Sequence, residues 1–295
     1  MKQYCIYHRA DFDGICSAAI IKYKFPDVEL VPKDYGDKLD LDMLANKDSL
    51  VVMADISFDK DTMVALDKKC KDFIYIDHHE SAIKDIVPLL TKEHVYVDTK
   101  FAACELVWKY YFGNPVPDGV DLLGTHDSWR DEDEDKWEER VEPFQYGMRG
   151  VEQAYDPTSE IWQWIFDDKQ KALQFVRDTI LDGDIIMEYD RIRNEHNAEQ
   201  SAFEVTIPYQ DGVKAIVLCS AEKGSALFDA VYDEDEHDVM LVFNYDGKQY
   251  NFSIYSTLDR VDCSEIAKSF KGGGHVGAAG MKMDKMPEWL KVTKK

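Results

Sequence analysis

The sequence has little of three features that mark familiar classes of protein. None of its six cysteines forms a Cys-x-x-Cys pair, so a zinc ribbon is not expected. No segment approaches the roughly 18 consecutive apolar residues that a membrane-spanning helix needs. Basic residues number 35 against 58 acidic residues, which gives a formal net charge of −23. That deficit argues against binding along a long nucleic-acid strand, since such proteins present a basic surface.

The composition otherwise describes a folded chain. Hydrophobic residues make up 45% and aromatic residues 12% of the 295 residues, enough to build a core. This length predicts one large or two medium domains. Most cysteines stand beside apolar neighbours and are expected to be buried free thiols, as in a reducing compartment. We therefore expect a cytoplasmic protein without a membrane segment, either a monomer or a homodimer.

Short apolar runs alternate with amphipathic stretches over the first part of the chain. The expected strands are 4–7, 28–31, 50–54, 73–76 and 95–97, and the expected helices are 14–24, 62–71 and 102–111. The near-continuous apolar run at 50–54 is typical of a buried parallel strand. This β-α-β-α order predicts an α/β fold with an N-terminal doubly wound parallel sheet.

Beyond residue 129 the character of the sequence changes. Four of the six tryptophans fall between 129 and 164 among acidic residues, in a segment expected to be helix and loop. Residues 169–200 have the pattern of a long amphipathic helix, although Gly183 disfavours one unbroken helix.

The C-terminal part predicts a second, smaller α/β domain. Its expected strands are 203–207, 214–219, 239–245 and 250–256, and its expected helices are 225–231 and 264–270. We therefore expect a first domain over 1–170, a connecting helix over 171–200 and a second domain over 201–295, with a cleft between the domains.

Histidine and aspartate residues follow the expected strands of the first domain or end a helix beside them. They are His8, Asp11, Asp13, Asp55, Asp77, His78, His79 and Asp127. Ligands of open α/β sheets bind at the carboxyl ends of the strands, so these segments are expected to converge on one site.

The chemistry of this set suits divalent cations. Carboxylates and neutral histidines bind Mn²⁺, Mg²⁺ and related ions. Asp11 and Asp13 alternate, so in an extended loop their carboxylates would point to different sides and serve different metals. Asp55, on a neighbouring strand, is a candidate bridge. Two ions about 3.5–4 Å apart activate a water and stabilise the attacking and leaving oxygens of a phosphoryl centre.

Each segment also has a plainer interpretation by itself. Asp-Phe-Asp-Gly is most often a turn, Asp55 could cap a helix, and Asp127 could be a cap or a loop residue. Two adjacent histidines after a buried strand are harder to explain in this way, because the chain has only eight histidines. Together the segments favour a metal site.

These motifs resemble those of a known family. Residues 76–80, Ile-Asp-His-His-Glu, are similar to the signature of the DHH phosphoesterases, and Asp11-x-Asp13-Gly14, Asp55 and Asp127 fall where the family's other motifs fall. Residues 272–275, Gly-Gly-Gly-His, followed by Ala-Ala-Gly at 278–280, resemble DHHA1, the C-terminal substrate-binding domain. The resemblance is greatest to the branch of nanoRNases, or oligoribonucleases, and phosphoadenosine-phosphate phosphatases.

The resemblance implies a role for each residue. One Mn²⁺ would be held by His8, Asp11 and Asp55. The other would be held by Asp13, Asp55, His78 and Asp127, and Mg²⁺ or Co²⁺ are alternative metals. Asp77 would orient a neighbouring ligand, and His79 would face the scissile phosphate. Asp55, Asp77 and His79 would then form the catalytic set.

In the second domain the resemblance implies a grip on the terminal phosphate or nucleotide of the substrate. The implied residues are Gly272, Gly273, Gly274 and His275. Backbone N–H groups of a glycine loop can approach an anion closely and bind it. Tyr255 stands where many relatives carry arginine, and Arg260 is a nearby candidate to supply that charge. Tyr255 could stack on a base or be an ordinary strand tyrosine.

The resemblance and the acidic charge together lead to one expected activity. We expect a dimetal phosphodiesterase that hydrolyses very short oligoribonucleotides to nucleoside monophosphates, since a long strand would be repelled outside the site. Alternative substrates are phosphoadenosine phosphate, cyclic or linear dinucleotides, and polyphosphate or pyrophosphate. A RecJ-like exonuclease and a non-catalytic nucleotide-binding regulator are less favoured. The expected partner is a short oligonucleotide or a nucleotide.

Overall fold

The chain folds into two units, Met1–Met187 and Glu188–Lys295. The structure is a computed structural model, and it describes residues 2–91, 93–167, 169–258 and 260–290. The expected domain boundaries at 170 and 200 stay a prediction, as does the cleft between the domains.

A parallel sheet forms the centre of the first unit. Its strands are β1 Lys2–His8, β2 Glu29–Lys33, β3 Ser49–Ala54, β4 Asp72–Asp77 and β5 Val95–Val97. Their order is β2-β1-β3-β4-β5, and every neighbouring pair is parallel. Tyr7 lies opposite Ala54, and Ala54 lies opposite Ile76. The carboxyl ends of β1, β3 and β4 are therefore level with one another.

Both faces of this sheet are covered by helices. Side chains alternate along β1, so that Tyr7 packs with Ile15 of α1 (Phe12–Lys24) and Ile6 packs with Met63 of α3 (Lys60–Lys69). Helix α5 (Ala103–Phe112) joins α1 on its face. The predicted α/β fold with a doubly wound parallel sheet is confirmed. The chain changes direction between β1 and β3, the switch point at which such sheets bind ligands.

Shorter helices complete the first unit. They are α2 Leu41–Leu44, α4 Glu80–Asp85, α6 Asp118–Asp127, α7 Glu134–Lys136, α8 Glu142–Gly150 and α9 Glu160–Asp167, with a π-helical turn over Trp137–Val141. The tryptophan-rich segment is thus helix and loop, as expected.

One long helix, α10 (Lys169–Ser201), runs from the first unit into the second. Gly183 does not interrupt it. A Cβ at Gly183 would collide with the backbone oxygen of Pro143 on α8, and one at Gly147 of α8 would collide with the backbone of Thr179 on α10. The two glycines allow α8 and α10 to approach each other, so Gly183 marks a close helix contact rather than a helix end.

The second unit contains a mixed six-stranded sheet. Its strands are β6 Phe203–Ile207, β7 Val213–Cys219, β8 Val239–Tyr245, β9 Tyr250–Tyr255, β10 Gly273–Gly274 and β11 Ala278–Met283, and its α-helix is α11 Cys263–Ser269. The strand order is β10-β11-β9-β8-β7-β6, and only β7 and β8 run parallel. The helix expected at 225–231 is wrong, because only a 3₁₀ turn at Ser225–Phe228 forms. The buried residues of this turn, Leu227 and Phe228, are adjacent in sequence. An amphipathic helix would instead bury residues spaced three or four positions apart.

Further expectations concern membrane segments and cysteines. Within the described ranges, no helix is both long and apolar enough to cross a membrane. Five of the six cysteines are buried, and Cys219 is exposed.

Candidate functional site

The site lies at the carboxyl ends of β1, β3 and β4. His8 ends β1, and Asp55 follows β3 with its backbone N–H donating to the oxygen of Ile76 at 3.1 Å. Asp55 has a φ of 60°, in the left-handed region that non-glycine residues seldom occupy. Backbone strain of this kind concentrates at functional sites.

A first group of possible ligands surrounds His8. Its Nδ1 lies 2.8 Å from Asp11 Oδ2 and 3.6 Å from Asp55 Oδ2. Asp11 also caps α1, since its Oδ1 accepts the Gly14 N–H at 3.0 Å. Gly14 has no room for a Cβ, which would collide with the backbone oxygen of His8. The motif therefore packs the start of α1 directly against the end of β1.

That geometry corrects one expectation about the motif. Asp11 and Asp13 do not alternate along an extended loop, because α1 already begins at Phe12. Their carboxylates enter different ligand groups because Asp11 caps the helix and Asp13 lies inside its first turn.

A second group surrounds His78. Its Nε2 lies 3.2 Å from Asp127 Oδ2, 3.4 Å from Asp55 Oδ1 and 3.6 Å from Asp13 Oδ2. Asp13 is buried and accepts hydrogen bonds from two backbone N–H groups at the start of α5, those of Ala103 at 2.9 Å and Cys104 at 2.6 Å. The amino end of α5 thus stabilises this carboxylate in its ionised form.

Asp55 lies between the two groups. Its Oδ1 faces His78 and its Oδ2 faces His8, and the residue is 1% exposed. Oδ2 has no hydrogen-bond partner among the residues that the structure describes. A buried carboxylate oxygen without a partner is costly unless another group pairs with it. The donor set on each side of Asp55 fits a divalent cation, and in this arrangement Asp55 can serve both.

The electrostatics of the cluster point the same way. Burial, reinforced by neighbouring carboxylates, raises the pKa of Asp55 to about 8 and that of Asp127 to about 7, and it raises the pKa of Asp13 well above its ordinary value. Several buried carboxylates so close together repel one another when ionised. Bound cations would remove that repulsion, so the cluster is suited to metal ions.

Both carboxylate oxygens of Asp77 accept hydrogen bonds from neighbouring residues. Its Oδ1 accepts from the His78 N–H at 2.7 Å, the His79 N–H at 3.2 Å and His79 Nδ1 at 2.7 Å, and its Oδ2 accepts from the Tyr75 hydroxyl. Although burial opposes it, these hydrogen bonds lower the pKa of Asp77. The hydrogen bond to Asp77 raises the pKa of His79 to about 9. Asp77 is thus placed to orient both histidines, and His79 is placed to carry a proton at neutral pH.

Replacing Asp77 with asparagine tests this arrangement. We expect Asp77→Asn to lower activity about 10–100-fold, the usual effect of losing a group that orients a ligand. In the metal-free protein the pKa of His79, followed by NMR, should fall from about 9 toward its ordinary 6.5. Asp72→Asn, at the other end of β4, is the matched control. An unchanged His79 pKa in Asp77→Asn would contradict the assignment.

Two features next to the cluster escaped the sequence interpretation. His8 Nε2 lies 3.4 Å from Asp34 Oδ1, and the rings of His8 and Tyr35 are 5.2 Å apart. Asp34 and Tyr35 follow β2, which neighbours β1, and a strand predicted to end at Lys33 would have placed them among the strand-end residues. The other feature is a buried ion pair of Arg130 with Glu105, at 2.7 Å. It carries no sequence signal, because its partners are 25 residues apart.

The residues expected to bind substrate lie together in the second unit. Gly273 and Gly274 form β10, and the backbone N–H of His275 donates to Ala278 O at 2.7 Å, which closes a tight hairpin with β11. Gly274 has a φ of 149° and no room for a Cβ, so the hairpin itself requires glycine there.

Two further substrate-binding candidates have partners within the second unit. The Tyr255 hydroxyl accepts the N–H of Gly224 at 3.1 Å, and Arg260 pairs with Asp238 at 3.0 Å. The role in substrate binding stays a prediction for the whole set, which is Gly272, Gly273, Gly274, His275, Tyr255 and Arg260.

Comparison with known families gives a match within the first unit. Residues 3–123 match the family described as DHH family, N-terminal domain. This match lies within the first unit and agrees with the resemblance that the motifs suggested. The match covers every residue of the cluster except Asp127, which lies four positions beyond it. It does not select the nanoRNase branch.

Individual relatives are distant. An uncharacterized protein of Acanthamoeba polyphaga mimivirus is 24% identical over an alignment of 300 positions. The alignment covers 94% of this chain and 66% of that protein. The chain thus spans about two thirds of its length. The pGpG-specific phosphodiesterase PggH from Vibrio cholerae matches with a TM-score of 0.50 at 11% identity, over 96% of this chain and 94% of that one.

A further solved structure is the DHH domain of a member of a family of ribosomal proteins. It matches with a TM-score of 0.54 at 16% identity, over 96% of this chain and 82% of that one. At such identities these structures show a shared fold.

Proposed function

We propose that this chain, which carries a DHH-family domain at residues 3–123, is a dimetal phosphodiesterase that hydrolyses very short oligoribonucleotides to nucleoside monophosphates. The observation that carries the proposal is the position of Asp55. One of its oxygens faces the group around His8 and the other faces the group around His78. Such a shared carboxylate between two ligand groups is the arrangement that a two-metal site requires.

The metals would be held by the two groups on either side of Asp55. They are His8, Asp11 and Asp55 on one side and Asp13, Asp55, His78 and Asp127 on the other. A mixed set of imidazoles and carboxylates suits Mn²⁺, with Mg²⁺ or Co²⁺ as alternatives. When bound, the ions would supply an activated water and charge neutralisation at the phosphoryl oxygens.

The protein's own groups would then orient the substrate. Asp77 holds Nδ1 of His79, which leaves Nε2 available to a phosphate oxygen. With its pKa raised to about 9, His79 is protonated at neutral pH and can donate a charge-assisted hydrogen bond to the phosphoryl group. Its place beside His78, with ring centroids 4.5 Å apart, keeps it next to the ligands.

Short substrates are favoured by the charge of the chain. A net charge of −23 would repel the many phosphates of a long strand, whereas one or two phosphates can be neutralised inside the site. The hairpin with exposed Gly273, Gly274 and His275 is our candidate for gripping the substrate's terminal phosphate.

Linear dinucleotides are the second candidate substrate. The fold is shared with a protein whose name gives pGpG as its substrate, and a dinucleotide suits the same two-metal chemistry. Other candidate substrates are phosphoadenosine phosphate, cyclic dinucleotides, polyphosphate and pyrophosphate. A regulator without turnover is disfavoured, because every expected ligand is brought into the cluster.

Product analysis tests the proposal. The panel contains ribonucleotides from two to ten residues long, pGpG, a cyclic dinucleotide, phosphoadenosine phosphate, polyphosphate and pyrophosphate, each with Mn²⁺ and with a chelator. We expect Mn²⁺-dependent conversion of the shortest RNAs to monophosphates and slow cleavage of the rest. Preference for another compound of the panel would make that compound the substrate in place of short RNA. Absence of any turnover with metal bound would overturn the enzymatic proposal.

A further inference from the structure

An aromatic cluster of His126, Trp129 and Trp137 stands beside the metal-ligand candidate Asp127. We propose that Trp129 and Trp137 bind a nucleobase of the substrate by stacking, so that the site selects base-containing phosphoesters over polyphosphate and pyrophosphate. This inference rests on the proposed function, since it names the substrate class of the same site. It assigns a role to residues of the tryptophan-rich segment.

The three rings contact one another, and Trp129 is inclined to a stacked pair formed by His126 and Trp137. The rings of His126 and Trp137 are nearly parallel, with an interplanar angle of 9° and centroids 5.6 Å apart. The Trp129 ring lies 5.3 Å from Trp137 and 6.0 Å from His126. Trp137 is half-buried, whereas Trp129 is 67% exposed. A large aromatic surface so open to water is available for a ligand.

The exposure of Trp129 is fixed by its backbone. Its φ of 52° lies in the left-handed region, and its N–H donates to His126 O at 3.2 Å. The next N–H, that of Arg130, donates to Thr125 O at 3.0 Å, and the Ser128 hydroxyl donates to Gly124 O at 2.6 Å. The turn that carries the ring is therefore held by hydrogen bonds on both sides. A strained backbone that keeps a tryptophan in water is a feature seen where side chains meet ligands.

The cluster is tied to the metal-ligand group. Asp127 ends α6, and its Oδ2 lies 3.2 Å from His78 Nε2. Trp129 follows it by two residues in the same hydrogen-bonded turn. A nucleotide joins its base to its phosphate through a single sugar, so the proposal requires that the phosphate of a base stacked on Trp129 reach the group around Asp127.

Stacking also fits the range of substrates. Every base has a π-face, so an aromatic platform binds bases with little regard to sequence. Inorganic polyphosphate and pyrophosphate gain nothing from such a platform. A pocket of this kind would therefore accept short RNAs of any sequence and discriminate against phosphate polymers.

Binding of two ligands that differ only in the base tests the inference. Adenosine 5′-monophosphate and ribose 5-phosphate are titrated by calorimetry into the full chain with Mn²⁺ present. We expect the wild type to prefer the nucleotide, and Trp129→Ala to weaken its binding about 5–100-fold, the range for one stacked base, while ribose 5-phosphate binding is unchanged. Trp129→Phe should retain most of the preference.

The control is Tyr96→Ala, which removes another exposed ring in contact with an aromatic neighbour, Tyr110 at 5.7 Å. It should leave both ligands unaffected. A wild type that does not prefer the nucleotide, or a Trp129→Ala variant that keeps the full preference, would overturn the inference. Failure of the proposed function is a separate result, since it is read from turnover by the wild type and not from this binding ratio.

Discussion

Replacing Asp55 with asparagine is expected to abolish metal-dependent hydrolysis and, at the same time, to raise the thermal stability of the metal-free protein. Asp55 contributes one carboxylate oxygen to each ligand group, so an amide in its place weakens both metal sites. We expect activity to fall at least about 10³-fold, because both ions act on the same phosphoryl centre. A function that depends on a destabilised group commonly costs stability in this way.

The gain in stability should depend on pH. The folded-state pKa of Asp55 is about 8, above the ordinary value of 3.8, because burial disfavours its charge. Between these two values the folded state binds more protons than the unfolded state, so Asp55 makes the metal-free wild type lose stability as pH rises from about 4 to 8. Asparagine has no proton to lose. The difference in melting temperature between Asp55→Asn and the wild type should therefore be small at pH 5 and largest above pH 8.

The measurement is a series of thermal melts between pH 5 and pH 9, with and without Mn²⁺, beside activity assays. Mn²⁺ should stabilise the wild type much more than Asp55→Asn, because the variant keeps only the weakened ligand groups. Asp61→Asn, which removes an exposed carboxylate on α3, is the control for loss of charge. Wild-type turnover in Asp55→Asn, or Mn²⁺ stabilisation of that variant equal to that of the wild type, would contradict the shared role of Asp55.

Removing Arg130 is expected to cost about 3 kcal/mol of folding free energy, because it leaves a buried carboxylate without its partner. Glu105 is only 1% exposed, and its Oε2 lies 2.7 Å from the Arg130 guanidinium. The same guanidinium donates to Thr125 Oγ1 at 3.1 Å. The pair therefore joins the start of α5, which holds Asp13, to the end of α6, which carries Asp127. Arg130→Ala should also lower activity, since both ligands would lose a support.

A second substitution tests whether the loss of stability in Arg130→Ala comes from the unpaired charge of Glu105. Glu105→Gln in the Arg130→Ala background removes the unpaired charge and keeps an oxygen for the Ala102 N–H, which Glu105 Oε2 accepts at 3.2 Å. We expect the double variant to unfold at higher denaturant concentration than Arg130→Ala alone, as measured by urea melts. If Arg130→Ala and the double variant were both as stable as the wild type, the ion pair would have no structural role.

The main elements of the site are predictable because strand ends in a parallel sheet have a simple geometry. Buried parallel strands appear in the sequence as short apolar runs, and the residues that follow them meet at one edge of the sheet. His8, Asp55 and His78 are therefore expected near one another from the sequence alone. Asp127 is expected at the same site from its place at the end of a helix beside the sheet, although strand-end geometry alone does not include it.

Other features depend on contacts that no local pattern encodes. The capping of α1 by Asp11 decides that Asp13 lies in a helix, and the amino end of α5 decides how Asp13 is held. The composition around Trp129 suggests an aromatic segment, but its exposure follows from a left-handed turn. The 3₁₀ turn at Ser225–Phe228 was expected as a helix because a seven-residue stretch offers too little periodicity to separate the two.

The most direct test of a dimetal centre is anomalous diffraction from crystals soaked with Mn²⁺. Two peaks about 3.5–4 Å apart are expected. One should be bound by His8 and Asp11, the other by Asp13, His78 and Asp127, and both should be in contact with the carboxylate of Asp55. A single ion, or two ions that do not share Asp55, would contradict the account.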